Sequence, residues 1–185
     1  MNVEKYKKGD FKNVLRENYR DKDKQGNYVR YKNSEINPAL THLNKKVSRK
    51  TPRTYADCLE LINTKKSQMS NKDRLNRKDV NIMASIVLTL PEEYRSKPQK
   101  WKIAFFVHAY NGLCEFVEAG RYDNALGGHL HLDETSPHMH FNFMPITDDG
   151  KGGQKVSFKE AFPRKKYQEL HPFMSDYMSE KLGEP

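Results

Sequence analysis

Apolar positions along the chain fall into two spacings and one unbroken run, and each predicts a different element. Val80–Leu90 (VNIMASIVLTL) is β-branched, apolar on both faces and ended by Pro91, which predicts a strand central to a covered sheet. Ile103, Phe106, Val107, Tyr110, Leu113 and Val117 share one face at helical spacing, which predicts a long helix over 98–118. Tyr167, Leu170, Met174, Tyr177 and Met178 predict another over 164–182. Tyr55, Leu59 and Ile62 predict a shorter helix opened by Thr51 or Thr54 as its cap. Alternation takes over in 125–132 and 138–146, an antiparallel pair joined by Asp-Glu-Thr-Ser-Pro and followed by a glycine-rich turn at 148–153. Residues 66–79 read as a loop. Residues 1–54 are polar, with turn signals at 8–10, 25–27 and 36–38, and read as short strands and irregular segments. This order predicts a single α+β domain over 1–185: a central antiparallel sheet with helices packed on one face.

Charge divides the chain unevenly. Residues 1–80 hold 21 Lys and Arg against 10 Asp and Glu; residues 81–185 hold 12 against 14. A polyanionic partner is therefore expected on the first part, about 1–80. No apolar run is long enough to span a membrane, and the lysine-rich start, Met1–Asp10, does not read as a secretion signal. Cys58 and Cys114 have no motif spacing and read as reduced thiols of a cytoplasmic protein.

Four of the seven histidines fall between His129 and His140, in a hairpin of about 124–146. Strand parity puts His129 and His131 on one face of the first strand, opposite Leu130 and Leu132. On the second strand His138, His140 and Asn142 share a face, opposite Met139, Phe141 and Phe143. The apolar faces suit the helices, so the imidazoles meet on the other side. Crowded imidazoles call for a cation, and His131, His138 and His140 supply three facial ligands with positions left open. His129 is read as a neighbour rather than a ligand. Asp133 and Glu134 add carboxylates that orient a ligand or act as base. This chemistry fits hydrolases and oxygenases equally; it fixes a metal site and not a reaction.

The segment His131-Leu-Asp-Glu-Thr-Ser-Pro-His-Met-His140 resembles the metal motif of the MobV-type (Mob/Pre) plasmid mobilisation relaxases, a branch of the HUH endonucleases. Asn33-x-x-Ile36-Asn37-Pro38 with Thr41-His42-Leu43-Asn44, Leu75–Asn81, and Lys155–Lys159 are similar to further stretches of that family in the same order. The resemblance implies a relaxase that nicks and rejoins single-stranded or hairpin DNA at a transfer origin. It implies Mn²⁺ or Mg²⁺ on His131, His138 and His140, Glu134 as base, and a covalent link between nucleophile and 5′ phosphate.

The family's nucleophile lies in an N-terminal His-x-x-Arg motif. Here the arginine is Arg20, but Glu17 stands at the histidine's place. Three assignments remain open: a tyrosine, Tyr19 ahead of Tyr28 and Tyr31; Glu17 itself; or loss of covalent cleavage, leaving a module that binds origin hairpins without cutting. Arg20 is expected to neutralise the phosphate. Lys45, Lys46, Arg49 and Lys50, and separately Arg77 and Lys78, are the expected DNA-backbone contacts. A small-molecule metal hydrolase would explain the histidines but not the basic first part.

Overall fold

The computed structural model describes residues 1–29, 33–47 and 52–183. The chain runs β1 (Asn2–Lys7), α1 (Phe11–Tyr19), β2 (Lys45–Lys46), α2 (Tyr55–Gln68), β3 (Asn81–Thr89), α3 (Gln99–Phe116) and α4 (Ala119–Tyr122). It continues β4 (Ala125–His131), β5 (His138–Phe143), β6 (Ile146–Asp148), β7 (Gln154–Val156), α5 (Phe158–Ala161) and α6 (Arg164–Leu182). Five strands form one antiparallel sheet in the order β1-β3-β5-β4-β2; β6 and β7 make a separate hairpin around the glycine-rich turn. As the unbroken apolar run requires, β3 lies inside the sheet, between β1 and β5.

Register sorts the faces. Ile86 pairs with Phe141 and Leu88 with Met139, and all four join the core under α3 and α6. Val87 pairs with His140 and Thr89 with His138, which puts the imidazoles on the opposite face. His129 and His131 of β4 pair with the same two histidines. β4 reaches this register through a bulge at Ala125/Gly127, where Gly127 takes φ +140°.

The α+β class and the antiparallel sheet are as expected, but the helices are not confined to one face. Phe11 and Leu15 of α1 and Cys58 and Ile62 of α2 form a second core with Met83 and Leu126. They cover the end of the imidazole face away from the histidines. α1 falls in the stretch expected to be irregular. Its inner stripe is Phe11, Leu15 and Asn18, so the third position is polar and the apolar period ends early. α2 is opened by Thr54, whose hydroxyl accepts from the Asp57 amide at 3.1 Å while Asp57 accepts from the Thr54 amide at 3.0 Å; Thr51 lies outside the described residues. Part of the expected 66–79 loop is helical, since α2 runs to Gln68 and Arg74–Asn76 make a short 3₁₀ turn. Among the described residues no helix is long and apolar enough to cross a membrane.

Candidate metal centre

β4 and β5 bring His131, His138 and His140 together: one nitrogen from each lies within 4.8 Å of the others. Hydrogen bonds set which nitrogens face inward. His131 Nε2 is 3.1 Å from the Asn18 carbonyl, which can only accept, so Nε2 carries the hydrogen and Nδ1 keeps its lone pair. His138 Nδ1 is 2.9 Å from the Ser136 carbonyl, which leaves the lone pair on Nε2. His138 Nε2 in turn lies 3.1 Å from His140 Nε2. Burial holds the His138 imidazole below its ordinary pKa. Burial, with His131 and His138 alongside, takes His140 down to about 2. Both shifts favour the neutral ring, the form a ligand needs. A proton bridges two such nitrogens; a divalent cation satisfies three, so this donor set fits the ion.

His129 is not part of this cluster. It is fully enclosed, with burial pushing its pKa to about 3, and its Nε2 has no hydrogen-bond partner among the described residues. The Tyr19 ring meets it edge-on at 4.3 Å.

Beside the triad lies a buried charge network. Arg20 Nε and Nη2 donate to both oxygens of Asp133 at 3.0 Å, and Nη2 also reaches Glu134 Oε1 at 2.5 Å and His131 Nδ1 at 3.1 Å. Thr41 donates to Asp133 Oδ2 at 2.9 Å, and Asn33 to Glu134 Oε2 at 3.1 Å. The Asn37 amide donates to the Asp133 carbonyl at 2.7 Å, and the Leu132 amide to Asn44 Oδ1 at 2.7 Å. Burial raises the pKa of both carboxyls, but the hydrogen bonds outweigh it. Asp133 is lowered through Arg20, and Glu134 falls to about 2 through His131 and Arg20. Both acidic residues face the network, so the turn does break the alternation of the strand. On the imidazoles, Asn18 and Ser136 act through their carbonyls, which no residue type announces. Asn33, Thr41 and Asn44 belong to a stretch that the sequence singles out without giving it a role.

Other expected site residues lie variously close. The Tyr19 hydroxyl donates to the Pro52 carbonyl at 3.2 Å, and burial pushes the phenol's pKa far up. Glu17 is half-buried; its backbone carbonyl, not its carboxylate, is tied to Arg20. Arg20 side-chain exposure is only 4 %, so it lies inside the network rather than at an open phosphate position. Lys45 and Lys46 are exposed on β2, paired with Leu130 and His129, and the Lys46 ammonium sits 4.8 Å over the Tyr19 ring. Arg49, Lys50 and Tyr31 lie outside the described residues. Arg77 is occupied by Asp79 at 2.9 and 3.1 Å. Arg77 and Lys78 precede β3, at the opposite end of that strand from the histidines, on the order of 20 Å away at the usual rise.

Three imidazoles on an antiparallel sheet, beside a buried arginine–carboxylate network, make an α+β module whose donor set could hold a metal ion. The chain belongs to the plasmid recombination enzyme family (Mob_Pre), whose model matches residues 1–184. It is 39 % identical over 75 residues to plasmid recombination enzyme type 1 of Staphylococcus aureus, covering 39 % of this chain and 17 % of that protein. With the type 3 enzyme of the same organism it shares 31 % over 138 residues, 74 % of this chain and 31 % of that one. The chain thus spans less than a third of the length of these relatives. Its fold matches the relaxase domain of MobM, solved with Mn and plasmid pMV158 oriT DNA. One such structure gives a TM-score of 0.76 at 23 % identity over 97 % of this chain and 84 % of that one. Another gives 0.74 at 24 % over 95 % and 84 %.

Proposed function

We propose that this chain is the relaxase domain of a cytoplasmic plasmid- or transposon-mobilising enzyme, which nicks and rejoins single-stranded origin DNA. The observation that carries the reading is the convergence of one nitrogen each from His131, His138 and His140 within 4.8 Å, next to the exposed lysines of β2. A divalent ion, Mn²⁺ or Mg²⁺, held by these rings supplies polarisation of the scissile phosphate and screening of charge that develops at phosphorus. The remaining chemistry belongs to side chains. Glu134 is held ionised by its contacts with His131 and Arg20, which leaves it a proton acceptor. Glu134 then accepts the phenolic proton. The tyrosyl oxygen bonds to phosphorus, the P–O3′ bond breaks with its electron pair on the 3′ oxygen, and Glu134 returns the proton there. Lys45 and Lys46 hold the strand's backbone.

Tyr19 is the nucleophile expected from sequence, and it must release the Pro52 carbonyl to act. Tyr28 is the more open phenol, 37 % exposed, and lines a cavity with Arg20 and Asn33. A second reading, a module that binds origin hairpins without cutting, is favoured by Glu17 at the family's histidine position and by the enclosure of Tyr19. Incubation with Mn²⁺ and a 3′-labelled oligonucleotide carrying the origin of the parent element separates these readings. A covalent protein–DNA adduct is expected. A gel shift without adduct supports the second reading, and absence of any DNA affinity overturns both. Tyr19→Phe and Tyr28→Phe then assign the nucleophile, since only one of them abolishes the adduct.

A further inference from the structure

The three ligand imidazoles are not equally supported. His131 and His138 each donate their outer N–H to a backbone carbonyl, of Asn18 and of Ser136. Among the described residues His140 has no such carbonyl: its Nδ1 is buried and without a hydrogen-bond partner. Three further buried polar atoms on the same face share that condition among the described residues, His129 Nε2 on β4 and Ser85 Oγ and Asn142 Nδ2 on β3 and β5; the last two and His140 Nδ1 form one group along the β3–β5 pair. Ser85 and Asn142 are both fully enclosed. Register puts them directly opposite each other, and Asn142 follows His140 by two residues on the same face. Asn142 is held from its other side, where its Oδ1 accepts from Asn18 at 3.4 Å.

Three stranded groups in one enclosed patch match the needs of one water molecule, which in protein interiors makes about three hydrogen bonds. Their chemistry is complementary: His140 Nδ1–H and Asn142 Nδ2–H donate, and Ser85 Oγ accepts. We infer that Ser85 and Asn142 hold a buried water that serves as the outer partner of His140, fixing the hydrogen on Nδ1 and turning the Nε2 lone pair toward the other two rings. The inference rests on the metal-site reading and makes Ser85 and Asn142 positioning residues. They touch neither the ion nor the DNA, and act through the tautomer and orientation of one ligand.

Two measurements on the whole chain test it. In the metal-free protein, long-range ¹H–¹⁵N correlation of the imidazoles reports which His140 nitrogen is protonated. Nδ1–H is expected in the wild type, and a mixture of tautomers in Ser85→Ala. Titration with Mn²⁺ followed by electron paramagnetic resonance reads affinity. A loss of about tenfold is expected for Ser85→Ala and for Asn142→Leu, with recovery in Ser85→Thr, which restores the hydroxyl. Should Asn142→Leu fail to fold, Ser85→Ala, which deletes only an oxygen, decides alone. A wild-type His140 protonated on Nε2 overturns the inference, as does Ser85→Ala binding Mn²⁺ within twofold of wild type. If the wild type binds no Mn²⁺, the metal reading falls and the tautomer alone judges Ser85 and Asn142.

Discussion

Arg20 and Asp133 form a two-pronged ion pair with both contacts at 3.0 Å and side-chain exposures of 4 % and 0 %. The pair joins the end of α1 to the turn between the two histidine strands. Arg20 gets there by a backbone device: it caps α1 in the left-handed region at φ +47°, unusual for a residue with a side chain, and its amide donates to the Arg16 and Glu17 carbonyls. Asp133 also anchors the Pro38–Leu43 turn, its carboxylate accepting from the Thr41 hydroxyl and its backbone carbonyl from the Asn37 amide. Removing one partner strands the other in a buried place. Asp133→Ala is expected to lower unfolding stability by about 3–5 kcal/mol in urea titration. The Arg20→Met, Asp133→Leu double variant is expected to lose less than the two single losses added together. Additive losses would show that the pair is not a unit.

Metal linkage gives a second expectation. A ligand that binds only the folded state raises stability with its concentration, by about 2.7 kcal/mol at a hundred times the dissociation constant. Mn²⁺ is therefore expected to raise the melting temperature of the wild type, and chelator to reverse the rise. In His138→Ala, which removes one of the three inward nitrogens, the rise is expected to vanish. A shift of equal size in that variant would place the ion elsewhere.

Alkaline stability follows from Cys58. Burial pushes its thiol up from 9.0 to about 11. The folded state therefore favours the protonated thiol, and the unfolded chain gives up its proton first as pH rises. Sign and window follow: the contribution is fully present below pH 9 and is lost as pH climbs toward 11. The loss amounts to about 3 kcal/mol at most. Tyr19, whose phenol burial also raises, adds a loss of the same sign above its ordinary value of 10.0. Unfolding midpoints measured from pH 8 to 11 should fall, and Cys58→Ala should flatten the first part of the decline.

Much of this arrangement can be read from the chain, and the limits of that reading are physical. Strand parity alone separates His138 and His140 from Met139 and Phe141, because one face of β5 must meet α3 and α6. The apolar stripe of α3 likewise announces itself, although its inner edge is set by Phe105, Ala109 and Phe116 rather than by the half-buried Ile103 and Val107. α1 does not, since its stripe closes on Asn18, a residue buried for its hydrogen bonds. Arg20 is legible as a functional arginine but not as a buried one. Its enclosure depends on Asp133, more than a hundred residues away, and on a left-handed backbone that no pattern signals. Gly128 is a similar case. A Cβ there would lie 2.4 Å from Val47 Cγ2 and 2.7 Å from Tyr110 Cδ2, a close approach that arises only when β2 and α3 pack on β4.

The two basic stretches differ in a way that salt dependence can measure. Lys45 and Lys46 are exposed on β2, across from the strand that carries His129 and His131. Arg77 is paired with Asp79 and precedes the far end of β3. Each phosphate contact on a single strand contributes about 0.7 to the slope of log affinity against log salt concentration. Lys45→Ala with Lys46→Ala is expected to weaken origin-strand binding and to reduce that slope by about 1.4. Arg77→Ala with Lys78→Ala is expected to change it by less than half as much, because Arg77 already has an acidic partner. Anisotropy titrations with a labelled oligonucleotide between about 50 and 300 mM salt read both slopes. A larger change in the second variant would move the DNA path to the opposite end of the sheet and away from the imidazoles.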